Sequence, residues 1–204
     1  MKNIERRSFS DLLLRSEENG DKILEGRAIV YNKESHLLNE NGKTFREVIL
    51  PGALTEVLSK KPDIRALWMH NKEELLGRTK SGTLELVEDN DGVLARLKVP
   101  NTNLGNDLYE LTKRGDINQM SFAFSVGDSK NESWSNTGGV PIRTLRSIPY
   151  VYDISFVTDG AYEDTTVAVR SLEEFEKTIQ EKQDDTWKIE SEKDVDDIEL
   201  IKIK

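Results

Sequence analysis

The sequence predicts an α+β fold that is built mostly from β-strands, with a few helices. Short apolar runs separated by turn-forming residues recur through residues 1–170. The segment TLELVEDNDGVLARLKV has the alternation of a β-hairpin around the turn Asp89-Asn90-Asp91-Gly92. By contrast, apolar residues at about positions 104–114 recur at helical spacing, and Gly115 follows them as a helix-ending residue. Strand patterns therefore dominate over helical ones.

The composition is that of one compact domain with a charged appendage. The 204 residues are 36% hydrophobic and 33% charged, with a net charge of −9. Residues 171–204 hold 12 acidic and 6 basic residues, so most of the excess negative charge lies there. We expect a body at residues 1–170, and a charged helix with an acidic tail at residues 171–204 that is scaffold-like, partly ordered or partner-binding.

Composition also disfavours several classes of site and partner. The absence of cysteine excludes disulfides and thiolate nucleophiles, and two histidines supply few metal ligands, so no metal or other cofactor is expected. Basic residues form no stripe, so nucleic-acid binding is not expected. No apolar run approaches the roughly 20 residues that span a bilayer, and the charged N-terminus does not resemble a secretory signal. We therefore expect a cytoplasmic protein without a membrane partner.

The elements can be placed in order along the chain. The first half is predicted to contain a strand at residues 23–31, a loop tip at 39–42, a strand at 45–50, a short helix after Pro51-Gly52 and a strand at 64–69 that ends at His70. After the hairpin and the helix, the pattern predicts a strand at 117–126, a mobile loop at 127–139, strands at 141–147 and 150–158, and a charged helix from 171 to about 183.

Only two histidines, His36 and His70, are available as a base near neutral pH. His36 lies in the polar segment KESHLLNENG, which is typical of a solvated surface histidine. His70 follows an apolar strand, where a side chain can lie at the edge of a core. Periodicity leaves both a catalytic and a structural role open for His70.

Ser121 lies on a predicted strand whose two faces differ in size and polarity. Large apolar residues alternate with small ones, namely Met120, Phe122 and Phe124 against Ser121, Ala123 and Ser125. A small, polar face could line a substrate site. The G-x-S-x-G motif is absent, however, and an ordinary half-exposed strand serine fits the local pattern equally well.

Asp153 lies in the apolar strand YVYDISFVT, where a carboxylate needs a partner because burying an unpaired charge is costly. A histidine Nδ1–H is one such partner, and the carboxylate would then orient that histidine. Arg143 or Arg146 on the preceding strand is an equally good structural partner. Local chemistry thus offers a Ser/His/Asp set without establishing it.

Five segments together resemble the prohead proteases of tailed phages, a family related in fold to the herpesvirus assemblin proteases. In the family's order they are GRAIVYN, FREVILPGAL with its F-x-E-x-I-x-P-G-A pattern, LWMHNKEELLGRTKSGTLEL with a histidine before a Gly-Arg pair, MSFAFSV, and YDISFVTDGAY with its [VI]-S-x-V-T stretch. They span about residues 25–169. The resemblance implies an assemblin-like β-barrel, closed or partly open, with a few surrounding helices.

The resemblance also implies a serine endopeptidase of prohead maturation. His70 would be the general base and Ser121 the nucleophile, and Asp153 stands where many family members carry glutamate. The third catalytic residue of the related assemblins is a histidine; His36 is the only candidate here, and its placement before the F-x-E-x-I segment argues against that role. Arg78, in the Gly-Arg pair, is a weak candidate for stabilising the oxyanion and is better explained by a structural salt bridge.

The implied substrates are the scaffold segment, the major capsid protein and the protease itself, inside the assembling prohead in the host cytoplasm. The analogy with assemblins suggests a homodimer. Two alternatives remain open at this point. The chain could be a non-enzymatic scaffold or assembly protein on a protease-like body, or a β-barrel binding module in which His70, Ser121 and Asp153 are merely structural.

Overall fold

The structure, a computed structural model, describes residues 4–9, 12–16, 20–40, 42–136, 139–158, 172–173 and 175–180. The chain divides into two compact units, Met1–Thr165 and Thr166–Lys204. In the second unit the described residues are helical and fall within the predicted charged helix. The predicted acidic tail lies outside the described residues, and the predicted boundary at residue 170 stays a prediction.

Within the described part of the first unit, the chain forms strands, two α-helices and two short 3₁₀ turns. In order they are β1 (Glu5–Phe9), β2 (Leu12–Ser16), β3 (Lys22–Val30), β4 (Leu38–Glu40), β5 (Lys43–Ile49), α1 (Thr55–Ser59), β6 (Arg65–Trp68), β7 (Asn71–Arg78), a 3₁₀ turn (Thr79–Ser81), β8 (Leu84–Asp89), β9 (Gly92–Lys98), α2 (Asn103–Arg114), β10 (Gln119–Ser125), a 3₁₀ turn (Ser129–Asn131), β11 (Glu132–Asn136), β12 (Pro141–Leu145) and β13 (Tyr150–Val157).

The strands form three sheets. The largest has five strands in the order β1-β10-β13-β6-β7, and the other two have four each, β11-β12-β5-β4 and β2-β3-β9-β8. Most neighbours are antiparallel, but β13 runs parallel to β6, and β12 runs parallel to β5. The prediction of an α+β fold, mostly β, is therefore confirmed. A closed barrel is not confirmed, because the strands of the described residues pair as three open sheets.

Local sequence signals explain the best-predicted elements. In the β8–β9 hairpin, Asp89 Oδ1 accepts hydrogen bonds from the backbone N–H groups of Asp91 and Gly92, as its turn position favours. Helix α2 is capped at its start by Thr102, whose side chain accepts a hydrogen bond from the Gly105 N–H, and at its end by Gly115, which has a φ of 86°. Both predictions are confirmed.

The predicted mobile loop at residues 127–139 is wrong in its middle, which forms a 3₁₀ turn and strand β11. The polar composition hid two long-range partners. Glu132 is buried against Arg143, and the Trp134 ring packs edge-on against Phe45 with 5.2 Å between ring centroids. Tertiary contacts thus order a segment whose own residues favour a loop.

Five buried charged side chains form a cluster that joins the five-stranded sheet to one of the four-stranded sheets. This buried charge cluster comprises Glu5, Arg7, Glu47, Glu132 and Arg143. Burial would raise the pKa of Glu47, but Arg7 and Arg143 hold that pKa below its ordinary value. The same carboxylates keep the pKa of Arg143 above its usual range despite complete burial. Strand β1 is therefore anchored by paired charges.

Candidate active site

Three side chains from separate elements of the five-stranded sheet converge on one hydrogen-bonded chain. His70 Nε2 lies 2.8 Å from Ser121 Oγ, and His70 Nδ1 lies 2.6 Å from Asp153 Oδ1. Ser121 lies on β10, Asp153 on the adjacent β13, and His70 in the turn after β6. The side chain of His70 is 5% exposed and that of Asp153 is 11% exposed, so the set is largely shielded from water.

The partners of His70 define its proton positions. An ionised carboxylate only accepts hydrogen bonds, so the contact with Asp153 requires that Nδ1 carries the proton. In a neutral imidazole the other nitrogen, Nε2, is then the acceptor, and the Ser121 hydroxyl donates to it. A histidine held in this way can take the hydroxyl proton, and the carboxylate stabilises the resulting imidazolium.

A tight turn between β6 and β7 carries His70 to this position. Trp68 and Asn71 face each other across the strand pair, and Met69 and His70 are the two residues between them. The backbone N–H of Met69 donates to the carbonyl of Phe156 at 3.1 Å, which fastens the turn to β13. Sequence analysis placed His70 at a strand end, but strand β7 directly after it, with the polar sequence NKEELLGR, was not predicted.

Strand β10 places Ser121 in the interior of the sheet. In the pairing register Ser121 is opposite Ser155 on β13 and opposite Ser8 on β1. The side chains of Ser121, Ala123 and Ser125 are all buried, and Ser121 is 0% exposed. Met120, Phe122 and Phe124 belong to the hydrophobic core, and the smaller residues between them are buried as well, so Ser121 is not half-exposed.

The carboxylate of Asp153 is paired with His70, and the two arginines proposed as alternative partners are engaged elsewhere. Arg143 belongs to the buried charge cluster, where it donates to Glu47 and Glu132. Arg146 donates to the backbone carbonyls of Lys130 and Glu132. The aspartate is long enough to reach the histidine, although it is one methylene shorter than glutamate.

Two further residues were considered from the sequence, one histidine and one arginine. His36 is exposed in the segment between β3 and β4, and the residue in contact with His70 Nδ1 is Asp153. Arg78 donates through Nε to Asp63 Oδ1 at 2.9 Å, and a second contact completes a bidentate pair. This pair lowers the pKa of Asp63 and is the structural salt bridge that the sequence favoured.

One polar contact at the set was not singled out from the sequence. Ser155, two residues after Asp153 on β13, donates its hydroxyl to Asp153 Oδ1 at 2.8 Å and is 0% exposed. The signal was present, because strand alternation puts residues i and i+2 on one face. What the pattern lacked was the identity of the hydroxyl's partner.

Two absences apply to the described residues. No group of three or more His, Cys, Asp or Glu there is arranged to hold a metal ion. No helix among these residues is both long enough and apolar enough to cross a bilayer.

Comparison with known proteins places the chain in a family. Residues 10–180 match the profile of the caudovirus prohead serine proteases. Among solved structures, the bacteriophage T4 capsid assembly protease, gp21, is similar over 75% of this chain and 99% of that chain, with 11% identity and a TM-score of 0.41. No curated protein sequence matches. Because the family match covers most of the chain, including the three converging side chains, this chain belongs to the caudovirus prohead serine protease family.

Proposed function

We propose that the chain is a serine endopeptidase of capsid maturation in which Ser121 is the nucleophile, His70 the general base and Asp153 the residue that orients His70. One observation carries the proposal, namely that both ring nitrogens of His70 are engaged, one by Ser121 Oγ and the other by Asp153 Oδ1. Family membership supplies the reaction class, peptide hydrolysis during prohead assembly.

The reaction proceeds in two halves. Ser121 Oγ attacks the scissile carbonyl while His70 Nε2 takes its proton, and the imidazolium then gives that proton to the leaving amine. A water molecule attacks the acyl-enzyme in the same way, and Ser121 is released. Asp153 keeps Nδ1 protonated throughout, so that Nε2 faces the nucleophile.

The proposed substrates are the scaffold-like segment of the major capsid protein and the protease chain itself. Ser121 is fully buried in this structure, so a substrate has to displace the groups that cover the hydroxyl. A small sulfonyl fluoride needs less opening than a polypeptide and is therefore the better first probe of reactivity.

The test compares wild type with Ser121→Ala and Ser125→Ala. Ser125 is a buried serine on the same strand, 5% exposed, and is the matched control for loss of a hydroxyl. We expect wild type and Ser125→Ala to cleave a capsid-protein substrate and to gain one sulfonyl adduct, mapped to Ser121 by mass spectrometry. Ser121→Ala should do neither.

The competing function is a non-enzymatic assembly protein on a protease-like body. Identical intact masses, no adduct and no cleavage for wild type and Ser121→Ala would favour that function and overturn ours. An adduct on another serine would overturn the assignment of Ser121 as the nucleophile, but it would leave the assignment of the chain as a serine endopeptidase in place. Light scattering on the same samples tests the expected homodimer.

A further inference from the structure

Ser155 makes a contact that the proposed mechanism does not use. Its Oγ lies 2.8 Å from Asp153 Oδ1, the same oxygen that meets His70 Nδ1 at 2.6 Å. Oδ1 therefore receives two donors, one from the base and one from the strand that carries the carboxylate. Because Ser155 is 0% exposed, bulk water does not reach this hydroxyl.

Ser155 lies on a strand that is paired on both sides. It lies near the middle of β13, where it pairs with Ser121 on one side and with Leu67 of β6 on the other. A donor on a central strand moves little, whereas the terminal torsion of an aspartate is broad and its carboxylate rotates easily. A single bond to His70 would leave that rotation open, and a second donor at a fixed point restricts it.

We propose that Ser155 is a positioning residue that acts through Asp153, holding the carboxylate in the orientation that keeps His70 aimed at Ser121. This inference rests on the proposed function, because it assigns a part in the reaction of that same site. Ser155 touches neither the substrate nor the reacting atoms. Its loss therefore changes kcat and leaves KM nearly unchanged.

A purely structural serine would behave differently. Removing a buried, hydrogen-bonded hydroxyl lowers the free energy of unfolding, but that loss by itself leaves the kcat of the folded protein unchanged. A positioning role makes Ser155→Ala lower kcat, and it makes the size of that effect depend on the Asp153 carboxylate. A double-mutant cycle measures that dependence directly.

The experiment uses the full chain as wild type, Ser155→Ala, Asp153→Asn and the double variant, with Ser125→Ala as control for loss of a buried hydroxyl. The readouts are kcat and KM on the capsid-protein substrate and the rate of sulfonyl labelling at Ser121. We expect Ser155→Ala to lower kcat about 10- to 100-fold, the range expected for a hydrogen bond to a charged group. On the Asp153→Asn background the same change should alter the labelling rate less than about twofold.

Each outcome decides between distinct conclusions. Full kcat in Ser155→Ala, equal losses on both backgrounds, or an equal loss in Ser125→Ala overturns the positioning role and leaves the proposed function intact. If wild type has no reaction that depends on Ser121, the proposed function fails and the positioning role fails with it. Should Ser155→Ala not fold, Ser155→Cys, a similar-sized and weaker donor, carries the same test, and full kcat there overturns the inference.

Discussion

Met69 and His70 are the two central residues of the turn between β6 and β7, and both have positive φ, 52° and 59°. Two-residue hairpin turns with positive φ at both central positions favour Asn and Gly, since ordinary L-residues are strained there. A bulky Met and a His at these positions are therefore unfavourable locally. The strain is tolerated because the turn is fastened to β13 and because His70 is bonded at both ring nitrogens.

Met69→Asn should stabilise the protein, because Asn tolerates positive φ. Met69 is already 44% exposed, so replacing its side chain removes little buried apolar surface from the protein. We expect the free energy of unfolding in urea to rise by about 0.5–1 kcal/mol. Leu37→Asn, at an apolar residue that is 49% exposed and has no positive φ, is the control and should bring no gain. Equal effects of the two changes would contradict the turn explanation.

Asp153→Asn should lower kcat by about 10⁴-fold while KM changes little, because the amide no longer enforces the Nδ1-protonated form of His70. The hydrolysis of a capsid-protein substrate measures this. Asp107→Asn, on the exposed face of α2, is the control and should keep full activity. A loss of less than tenfold in Asp153→Asn would remove Asp153 from the proposed set.

The buried charge cluster should make stability fall in acid. The pKa of Glu47 is lower in the folded chain than the ordinary value of 4.5, so its contribution is complete above that value and is lost as the pH falls through the folded pKa. We expect a steep decline in the free energy of unfolding below about pH 4.5. Urea titrations at a series of pH values measure the decline.

Glu47→Gln should flatten that decline. It should also lower the free energy of unfolding at pH 7 by about 1–3 kcal/mol, because Arg7 and Arg143 would then donate to a neutral amide oxygen and not to a carboxylate. Glu56→Gln is the matched control. Lys60 lowers the pKa of Glu56 too, but that pair is exposed, so the change should have little effect at any pH. An acid decline that is unchanged in Glu47→Gln would argue against the role of the cluster.

Gly105→Ala should destabilise the protein although alanine is the better helix former. An added Cβ at Gly105 would lie 2.1 Å from the carbonyl oxygen of Pro100, so helix α2 would have to shift. We expect a loss of about 1–3 kcal/mol in the free energy of unfolding, as for other overpacked sites. Glu110→Ala, on the exposed side of the same helix, should leave stability nearly unchanged. A gain in Gly105→Ala would contradict the close approach.

The candidate site was partly predictable. The sequence and its family resemblance singled out His70, Ser121 and Asp153, and the structure brings their side chains within hydrogen-bond distance. Their catalytic roles stay a proposal. Ser121 and Asp153 lie 51 and 83 positions after His70 in the sequence, and no local sequence motif indicates that they contact it. Ser155 was not singled out, because an i, i+2 pattern shows which residues share a face but not which atoms bond.

Secondary-structure elements that depend only on residues close in sequence could be predicted from the sequence. The β8–β9 hairpin depends on Asp89 bonding its own turn, and α2 on a threonine cap, helical leucine spacing and a terminal glycine, all of which act within a few residues.

The tertiary structure decided what depends on distant partners. Strand β1 has the local sequence of a charged segment, yet Glu5 and Arg7 are buried. They can be buried because Glu5 pairs with Arg143, 138 residues later in the sequence, and Arg7 pairs with Glu47, 40 residues later. Strand β11 and the left-handed turn at His70 likewise exist because contacts elsewhere in the fold offset an unfavourable local composition. Burying a charge or straining a backbone is favourable only when the partner is in place, and only the folded sheets bring it there.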